Sequence, residues 1–434
     1  MAGSAPGRPR HYAAGAMVFV AVAALFLYFP FLDAYFWADD FGWLTAGQSF
    51  DPAATLSFLQ RTHFYRPLID FYFDFTMAVF GYAPRPFHAL NIALHIVNAC
   101  LVFAIAKRLL RAVGAACFAA LTFAVLPGIM QAVAWVSAVT ALLMTCCYLT
   151  AVVGHLRWLD AGSPRARIVT VIAFVAALLS HEGAVTLLPT LLIVDLMFAS
   201  GWRISVRDLV RRYGLYALLL GGYLVISYTV NRANPNVAEG EYRFGIHAVR
   251  NLLTYISALY VGRHDAFALL GTAVALLLLA GFGTMPVRFG TVWMLLALVP
   301  YSFFLTTRSG RYMYLSAAGF SLLLAGVGLM LSQVLQTRIG VRTGRLVSVA
   351  LAVAIAGRFA SFAAREVPRE VAPGEAYRAW FDSFQRAHPT LARGAAVAIA
   401  DPKRRDIDTP ALPALIRLEY ADPQLQISVN PPLR

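Results

Sequence analysis

Apolar residues along the chain come in long blocks that are separated by short polar segments. A helical block of about 20 apolar residues spans the ~30 Å hydrocarbon core of a bilayer, whereas a β-barrel would show short alternating segments. The pattern therefore predicts an all-α polytopic membrane protein with about eleven spans. We place them at 13–32, 87–106, 112–127, 131–154, 166–180, 183–199, 214–230, 266–283, 289–305, 311–332 and 345–362.

Basic residues in the short connections predict the orientation. The arginines and lysines near 8–10, 107–111, 157–167 and 203–212 fall on one side, which the positive-inside rule assigns to the cytoplasm. The segment 246–262 is then a re-entrant or interfacial helix, and Arg338, Arg342 and Arg345 join the same side. The alternative, in which 246–262 crosses, puts these three arginines outside. We prefer the first arrangement, with the N-terminus inside and the C-terminus outside.

Composition supports the membrane interpretation and excludes other classes. Hydrophobic residues make up 59% of the 434 residues and charged residues only 13%, about half the charged share of a soluble domain. The net charge of +14 comes from arginines in the loops rather than from a basic stripe with interleaved aromatics, so we predict no nucleic-acid partner. The four cysteines fall inside apolar blocks without metal-site spacing and are interpreted as packing residues.

Three outer segments are too long to be simple connections: about 33–86, the polar stretch 231–247 and the tail from 363. We divide the chain into a membrane module, 1–362, and a small extracytoplasmic C-terminal segment, 363–434. The first outer loop, about 33–86, holds two interrupted apolar stretches at 41–59 and 68–82 with interspersed Trp and Tyr residues. Such stretches are typical of helices that lie in the membrane interface.

The candidate catalytic residues are Asp39 and Asp40, within Trp37-Ala38-Asp39-Asp40-Phe41-Gly42 just beyond the first span. Adjacent carboxylates among aromatic residues raise the pKa of at least one of them, which is how a carboxylate becomes a useful base. The structural alternative is that Asp40 caps a helix beginning near Phe41. A cap explains one aspartate and leaves the other without a role.

Further candidates are interpreted as substrate-binding residues. Arg308, Arg311 and Tyr312 open the span at 311–332 on the predicted outer side, where a helix start and two guanidiniums suit a lipid phosphate. Arginines that reach to lipid headgroups are the alternative. Arg66 is a weaker candidate for binding the phosphate. Glu182 is interpreted either as a functional residue or as a solvated residue of the surface.

Four polar residues share one face of the span 87–106: His88, Asn91, His95 and Asn98. Polar side chains in a span face the protein interior or a wet cavity. We interpret His88, near the outer end, as a substrate-binding residue and Asn98 as a source of interhelical hydrogen bonds. Two histidines without a further ligand do not predict a metal site.

Several segments together resemble the GT-C class of membrane glycosyltransferases. The acidic pair after the first span and Tyr65-Arg66-Pro67-Leu68 fit this class. The run 87–99 is similar to the FH-x-x-N-x-x-x-H-x-x-N stretch of its protein O-mannosyltransferase-like branch, which often carries tetratricopeptide repeats. The segments 132–137, 178–189 and 311–315 match in order, so the resemblance covers about 20–330. Two departures are His181, where the family commonly has lysine, and the missing repeats, which suggest a different acceptor.

The resemblance implies a GT-C-like bundle that takes a sugar from a polyprenyl-phosphate donor on the extracytoplasmic face and inverts the anomeric centre. It implies that Asp39 is the base and that Asp40 orients it, or that these two roles are exchanged. It also implies that arginines hold the departing phosphate. The acceptor is then a glycan, a lipid or a protein hydroxyl. Some GT-C enzymes bind a divalent metal at such carboxylates; nothing in this sequence requires one. For a bacterial source, the expected location is the inner membrane with the active site facing the periplasm.

Two other functions share some of these features. A transporter or flippase of lipid-linked saccharides predicts charges near the membrane midplane, but most ionisable residues here lie at span ends. A polymerase or ligase of lipid-linked glycans would share the outer arginines without needing Asp39 and Asp40. A purely structural subunit is favoured only if that acidic pair is dispensable.

Overall fold

The computed structural model describes residues 10–48, 51–58, 64–231, 234, 237, 239–260, 265–305 and 310–430. In these ranges the chain is mostly helical. The helices are α1 Arg10–Tyr28, α2 Asp39–Ala46, α3 Pro52–Leu56, α4 Pro67–Phe80, α5 Pro84–Leu110, α6 Val113–Val125, α7 Met130–Ala134, α8 Val139–Ala161, α9 Pro164–Leu178, α10 Leu187–Phe198, α11 Val206–Val230, α12 His247–Tyr260, α13 Ala266–Phe282, α14 Met285–Ser302, α15 Tyr314–Ile339, α16 Val341–Ala387 and α17 Leu412–Glu419. Two strands, β1 Ala396–Ala400 and β2 Gln426–Asn430, complete the regular structure of the described residues.

The described helices confirm an integral membrane protein. Six of them are long and apolar enough to cross a bilayer, namely α1, α5, α8, α11, α15 and α16 together with the short 3-10 turns that extend α1, α8 and α15. Helices α6 and α7 add a seventh if the pair, bent by 52°, forms one span. The predicted count of eleven stays a prediction, because helices such as α9 and α10, with 15 and 12 residues, are shorter than the ~20 residues that a span needs.

Polar residues on α5 hold the centre of the bundle together. His95 bonds through Nδ1 to the Tyr314 hydroxyl at 2.8 Å and through Nε2 to the Ala124 carbonyl at 3.0 Å. Asn98 donates to the Leu142 carbonyl at 3.0 Å and to the same Tyr314 hydroxyl. This arrangement agrees with the interhelical role expected for Asn98 and extends it to His95. Buried polar groups between helices are stable only when they find such partners.

The first loop covers one end of the bundle, which we call the loop end. Helix α4 agrees with the predicted interfacial stretch 68–82, whereas the stretch 41–59 contains two short helices, α2 and α3, instead of one. Gly47, which follows α2, packs on the backbone of Phe73 in α4, and the stacked rings of Trp43 and Phe73 hold α2 against α4.

Helix α12 lies across the loop end, as expected from the preferred interpretation of 246–262 as a re-entrant or interfacial helix. Asn251 donates to the carbonyls of Ser302 and Phe304, at 3.0 and 2.7 Å, where α14 ends. At the other end of α12, the backbone of Leu259, its next-to-last residue, packs on Gly128 in the turn after α6. Because both contacts lie at the same end of the bundle, α12 does not run through it.

Helix α16 continues far beyond the predicted span 345–362. Its 47 residues make a helix about 70 Å long, so the expected boundary at 362 falls inside a continuous helix and the division into two domains stays a prediction. Beyond α16, β1 and β2 pair in parallel, with Ala396 opposite Gln426. Leu412, Leu415 and Ile416 of α17 then join a buried cluster with Phe41 of α2. The C-terminal segment is therefore attached to the first loop.

A close approach of backbones makes this attachment sensitive to one glycine. A Cβ on Gly374 of α16 would lie 2.5 Å from the Tyr35 carbonyl oxygen, whereas a Cβ on Gly357 of the same helix meets nothing within 4 Å. We expect Gly374→Ala to lower the free energy of unfolding by about 1–3 kcal/mol, as overpacked core sites do. Gly357→Ala should have no destabilising effect because alanine favours a helix. Thermal unfolding of both variants in one detergent tests this, and equal melting temperatures would contradict it.

Candidate active site

A strained turn presents the acidic pair. Ala38 has φ 49° and ψ −119°, a conformation that residues with a Cβ rarely adopt. The Asp40 N–H donates to the Trp37 carbonyl across this turn at 3.2 Å, and Asp39 and Asp40 begin α2. Because strain of this kind persists only where the surroundings enforce it, and collects at functional sites, the turn marks the acidic pair as a candidate site.

Asp40 is the buried member of the pair. Its Oδ1 accepts hydrogen bonds from the Ser137 N–H, at 2.7 Å, and from the Ser137 hydroxyl, while Oδ2 accepts from the Trp37 N–H at 3.0 Å. The side chain has no exposed surface. Burial raises the pKa of Asp40 to about 7, against these hydrogen bonds, which lower it. Oδ1 thus holds the first loop on the segment before α8, and Oδ2 holds the turn that precedes α2.

Asp39 is the available member of the pair. Its side chain is exposed, and among the described residues no group donates a hydrogen bond to its carboxylate. Crowding by the surrounding protein raises the pKa of Asp39, the nearby Arg311 lowers it, and Asp408 of the C-terminal segment raises it again. A carboxylate that is open to a ligand and more basic than usual is suited to accept a proton.

Aromatic stacking positions Arg311. The rings of Trp37 and Trp135 stack with centroids 4.4 Å apart, and the Trp135 indole N–H donates to the Trp37 carbonyl at 3.2 Å. The Arg311 guanidinium lies 4.3 Å from the Trp135 ring centroid and 5.0 Å from that of Tyr312, a cation–π arrangement. Asn91 of α5 fixes the Trp135 backbone by donating to its carbonyl at 2.9 Å. The stack therefore places a cation beside Asp39.

Arg66 and Glu182, both predicted to bind substrate, form an ion pair with each other. The Arg66 Nη2 lies 2.6 Å from Glu182 Oε2, and Nε lies 3.1 Å from both carboxylate oxygens. Burial alone would raise the pKa of Glu182, but Arg66 holds it below its usual value. Glu182 matches the charge of Arg66, whose side chain is only 12% exposed, and a substrate-binding role of Arg66 stays a prediction.

His181 joins this pair as a neutral residue. Burial, with the positive charge of Arg66, lowers the pKa of His181 to about 3, and its Nδ1 accepts the Gly183 N–H at 3.0 Å. The Tyr301 hydroxyl lies 3.4 Å from the same nitrogen, and the Tyr301 and Tyr312 rings are 4.7 Å apart. The pair Arg66–Glu182 is thereby connected to the aromatic residues around Arg311.

The other predicted substrate-binding residues have different outcomes. His88 is buried, with 1% of its surface exposed, and its expected role in substrate binding stays a prediction. Tyr312 lies beside Arg311, its hydroxyl 3.4 Å from the guanidinium. Arg308 lies outside the described residues.

The residues that sequence reasoning missed lie in segments remote from the acidic pair. They are Trp135, Ser137, Tyr301 and Asp408. Trp135 and Ser137 belong to the segment 132–137 that resembles the glycosyltransferase branch, so a signal for them was present. The signal for Tyr301 and Asp408 is absent from the sequence, since only the packing of α14 and of the C-terminal segment brings them to the site.

A divalent metal at the acidic pair stays a prediction. Both oxygens of Asp40 already accept hydrogen bonds from Ser137 and Trp37. The described residues contain no group of three or more His, Cys, Asp or Glu side chains that could hold a metal ion.

Comparisons with known proteins agree with this architecture. No protein-family profile matches the chain. Two Drosophila melanogaster proteins are similar in sequence: Protein O-mannosyl-transferase Tmtc2, 37% identical over 27% of this chain, and Tmtc1, 31% identical over 38% of it. The matches span only 13% and 21% of those relatives.

The fold of a solved structure matches this protein over nearly the whole chain. The crystal structure of ArnT from Cupriavidus metallidurans bound to undecaprenyl phosphate aligns with 95% of this chain and 86% of its own, with a TM-score of 0.56 and 15% identity. The apo structure of the same enzyme gives the same TM-score at 17% identity. The chain thus has the GT-C fold of ArnT and resembles the Tmtc O-mannosyltransferases in part of its sequence.

The hydrogen bond from Ser137 to Asp40 is testable by stability. Removing a bond to a charged group costs about 1.5–3 kcal/mol, so we expect Ser137→Ala to lower the free energy of unfolding by that amount. Because the bond favours the ionised carboxylate, the loss should be larger at about pH 8.5 than at about pH 5.5. Ser321→Ala is the matched control, since Ser321 is buried and its hydroxyl has no hydrogen-bond partner among the described residues. Equal losses in the two variants would contradict this role of Asp40.

Proposed function

We propose that this protein is a glycosyltransferase that moves a sugar from a polyprenyl-phosphate carrier to an acceptor hydroxyl at the extracytoplasmic face of the membrane. The observation that carries the proposal is the contrast within the acidic pair: Asp40 is buried and fully bonded, while Asp39 is exposed, unbonded among the described residues and close to Arg311. The shared fold with ArnT, whose structure holds undecaprenyl phosphate, supports a carrier of this chemistry.

Asp39 acts as the general base in this proposal. One of its carboxylate oxygens takes the proton of the acceptor hydroxyl while the acceptor oxygen forms a bond to the anomeric carbon of the donor sugar. The bond between that carbon and the phosphate oxygen breaks in the same step, so the configuration at the anomeric carbon inverts. No general acid is needed, because a phosphate ester is a good leaving group. This use of one carboxylate contrasts with the acid–base pair of glycosidases.

Arg311 stabilises the departing phosphate. Its guanidinium is held by Trp135 and Tyr312 rather than by a carboxylate of the described residues, so its charge is available to an anion. As the carbon–oxygen bond breaks, negative charge grows on the phosphate, and a preorganised cation lowers the barrier most where charge develops. Arg311 also lowers the pKa of Asp39, which ties the base to the phosphate site.

The pair Arg66–Glu182 has a positioning role in the proposal. Arg66 precedes α4 of the first loop, and Glu182 precedes α10 of the bundle. Their bidentate ion pair therefore fixes the loop on the bundle beside Tyr312 and His181. An arginine–carboxylate fork of this kind adds geometric specificity as well as energy.

Donor and acceptor are proposed only as chemical classes. The donor is a polyprenyl phosphate with one sugar, an undecaprenyl phosphate for a bacterial inner membrane, and the acceptor is a glycan, lipid or protein hydroxyl. The similarity to Tmtc2 and Tmtc1 makes mannose the first donor sugar to assay.

Transfer of radiolabelled mannose from polyprenyl phosphate to a panel of hydroxyl acceptors tests the proposal directly. Asp39→Asn should lower kcat by at least ~100-fold, the usual contribution of a general base, at an unchanged melting temperature. Asp382→Asn makes the same charge change on an exposed residue of α16 and should retain full transfer. Undiminished transfer by Asp39→Asn would exclude Asp39 as the base. Absence of transfer by the wild type with every donor and acceptor would count against the glycosyltransferase.

The pH profile tests the coupling between Arg311 and Asp39. The base works only when ionised, so activity falls as pH drops through its pKa. Because Arg311 lowers that pKa, we expect Arg311→Gln to move the acidic limb of the kcat/KM profile to higher pH. Arg386→Gln, an exposed arginine of α16, removes the same charge elsewhere and should leave the limb in place. An acidic limb that does not move in Arg311→Gln would contradict the coupling.

A further inference from the structure

A basic cavity lies at the end of the bundle opposite to the acidic pair. Helix α8 begins two residues after Ser137, which holds Asp40, and its 23 residues extend about 35 Å, close to the thickness of a bilayer core. Where α8 ends, a cavity of about 720 Å³ opens between α8, α9, α10 and α11. Its charged lining consists of Arg167, Arg203, Asp208, Arg211 and Arg212. The cavity plays no part in the proposed transfer.

Half of the positive charge in the cavity is not matched by carboxylates of the described residues. Arg212 is paired with the buried Asp195 at 2.8 Å, and the Asp208 carboxylate accepts a hydrogen bond from the Ser205 hydroxyl. Among the described residues, no carboxylate lies within ion-pair distance of Arg203 or Arg211. With four arginines, one lining aspartate and the buried Asp195, the cavity keeps a net charge of about +2 at neutral pH, since carboxylates are ionised there.

Trp158 beside the arginines, and the exposed apolar faces of α9 and α11, are features typical of a membrane interface. The Trp158 ring lies 5.3 Å from the Arg167 guanidinium and 6.0 Å from that of Arg212. Tryptophan prefers the headgroup level of a bilayer. Beside the cavity, α9 exposes Ile168 and Ile172, at 58% and 64%, and α11 exposes the apolar row Val206, Val210 and Leu218. Apolar surfaces of this kind can lie against the acyl chains of a lipid whose headgroup enters the cavity.

Membrane orientation alone does not account for this arrangement. Arg342 and Arg345 lie at the start of α16, at the same end of the bundle, and face solvent. Arginines that serve only to orient the chain in the membrane do not need to line a cavity, and Arg342 and Arg345 do not line this one. The cavity instead gathers its arginines around a space large enough for a phosphate-bearing headgroup, and guanidiniums suit phosphate oxygens in particular.

We propose that this cavity is a binding site for the phosphate headgroup of an anionic phospholipid of the opposite leaflet. Arg203 and Arg211 bind the phosphate oxygens, Arg167 and Trp158 form the wall, and the acyl chains lie along α9 and α11. The net charge favours a headgroup with two phosphates over one with a single phosphodiester. Basic recesses between membrane helices bind such lipids in general through charge and apolar contact together.

Native mass spectrometry of the delipidated full chain tests the site with four probes: tetraoleoyl cardiolipin, dioleoyl phosphatidylglycerol, dioleoyl phosphatidylcholine and inorganic phosphate. We expect affinity to fall in the order cardiolipin, phosphatidylglycerol, phosphatidylcholine. The double variant Arg203→Gln/Arg211→Gln should weaken cardiolipin binding by about tenfold or more, given about 1 kcal/mol per arginine near a lipid surface. The matched control Arg342→Gln/Arg345→Gln removes the same charge outside the cavity and should bind cardiolipin as the wild type does.

Three results would overturn the site. Equal losses in the two double variants would show a general charge effect, and equal binding of phosphatidylcholine would show that the headgroup is not recognised. Inorganic phosphate that displaces cardiolipin at low millimolar concentration, with the same dependence on Arg203 and Arg211, would assign the cavity to a free anion instead. Both double variants change exposed side chains, and an unchanged melting temperature shows that each is folded.

Discussion

The carboxylate of Asp40 joins two segments that lie 97 residues apart in the sequence. It accepts hydrogen bonds from Ser137 at the start of α8 and from Trp37 within the first loop. A buried carboxylate is costly unless each oxygen finds donors, so the loop is stable in this position only while these partners are present. With Asp40 turned into the protein, the strained turn at Ala38 leaves Asp39 facing outward. The two adjacent aspartates therefore have different roles because one of them is a structural anchor.

The position of Arg311 depends on the same anchor through aromatic contacts. Trp37 lies within the anchored loop, stacks on Trp135 and so brings that ring to the guanidinium. From the other side, a Cβ on Gly310 would lie 2.6 Å from the Gly128 carbonyl oxygen, so only glycine allows the backbone before Arg311 to come this close. Asp39 and Arg311 are thus held by the packing of rigid elements rather than by a direct bond between them. Such an arrangement leaves both charges available to a ligand placed between them.

Local signals in the sequence predicted much of this molecule. Apolar blocks mark the long helices, the polar face of α5 marks the bundle centre, and aromatic residues flank the acidic pair. Pairings across long sequence distances had no such signal. Arg66 and Glu182 are separated by 116 residues, so the sequence alone did not show that they form an ion pair. The extension of α16 was hidden for another reason. Pro368 and Pro373 lie inside that helix, and prolines with charges normally mark a helix end.

The C-terminal segment changes the electrostatics of the candidate site. Tyr377 of α16 fixes Asp408 by two hydrogen bonds, accepting from its N–H at 2.6 Å and donating to its carbonyl at 3.3 Å. Asp408 raises the pKa of Asp39, whereas Arg311 lowers it. A base needs enough desolvation to be basic, yet enough access to meet an acceptor. The bundle supplies the cation, and the segment supplies the opposing anion and part of the enclosure. The pKa of Asp39 is therefore set by both parts of the chain, and removal of the segment would leave the proposed base more exposed and less basic.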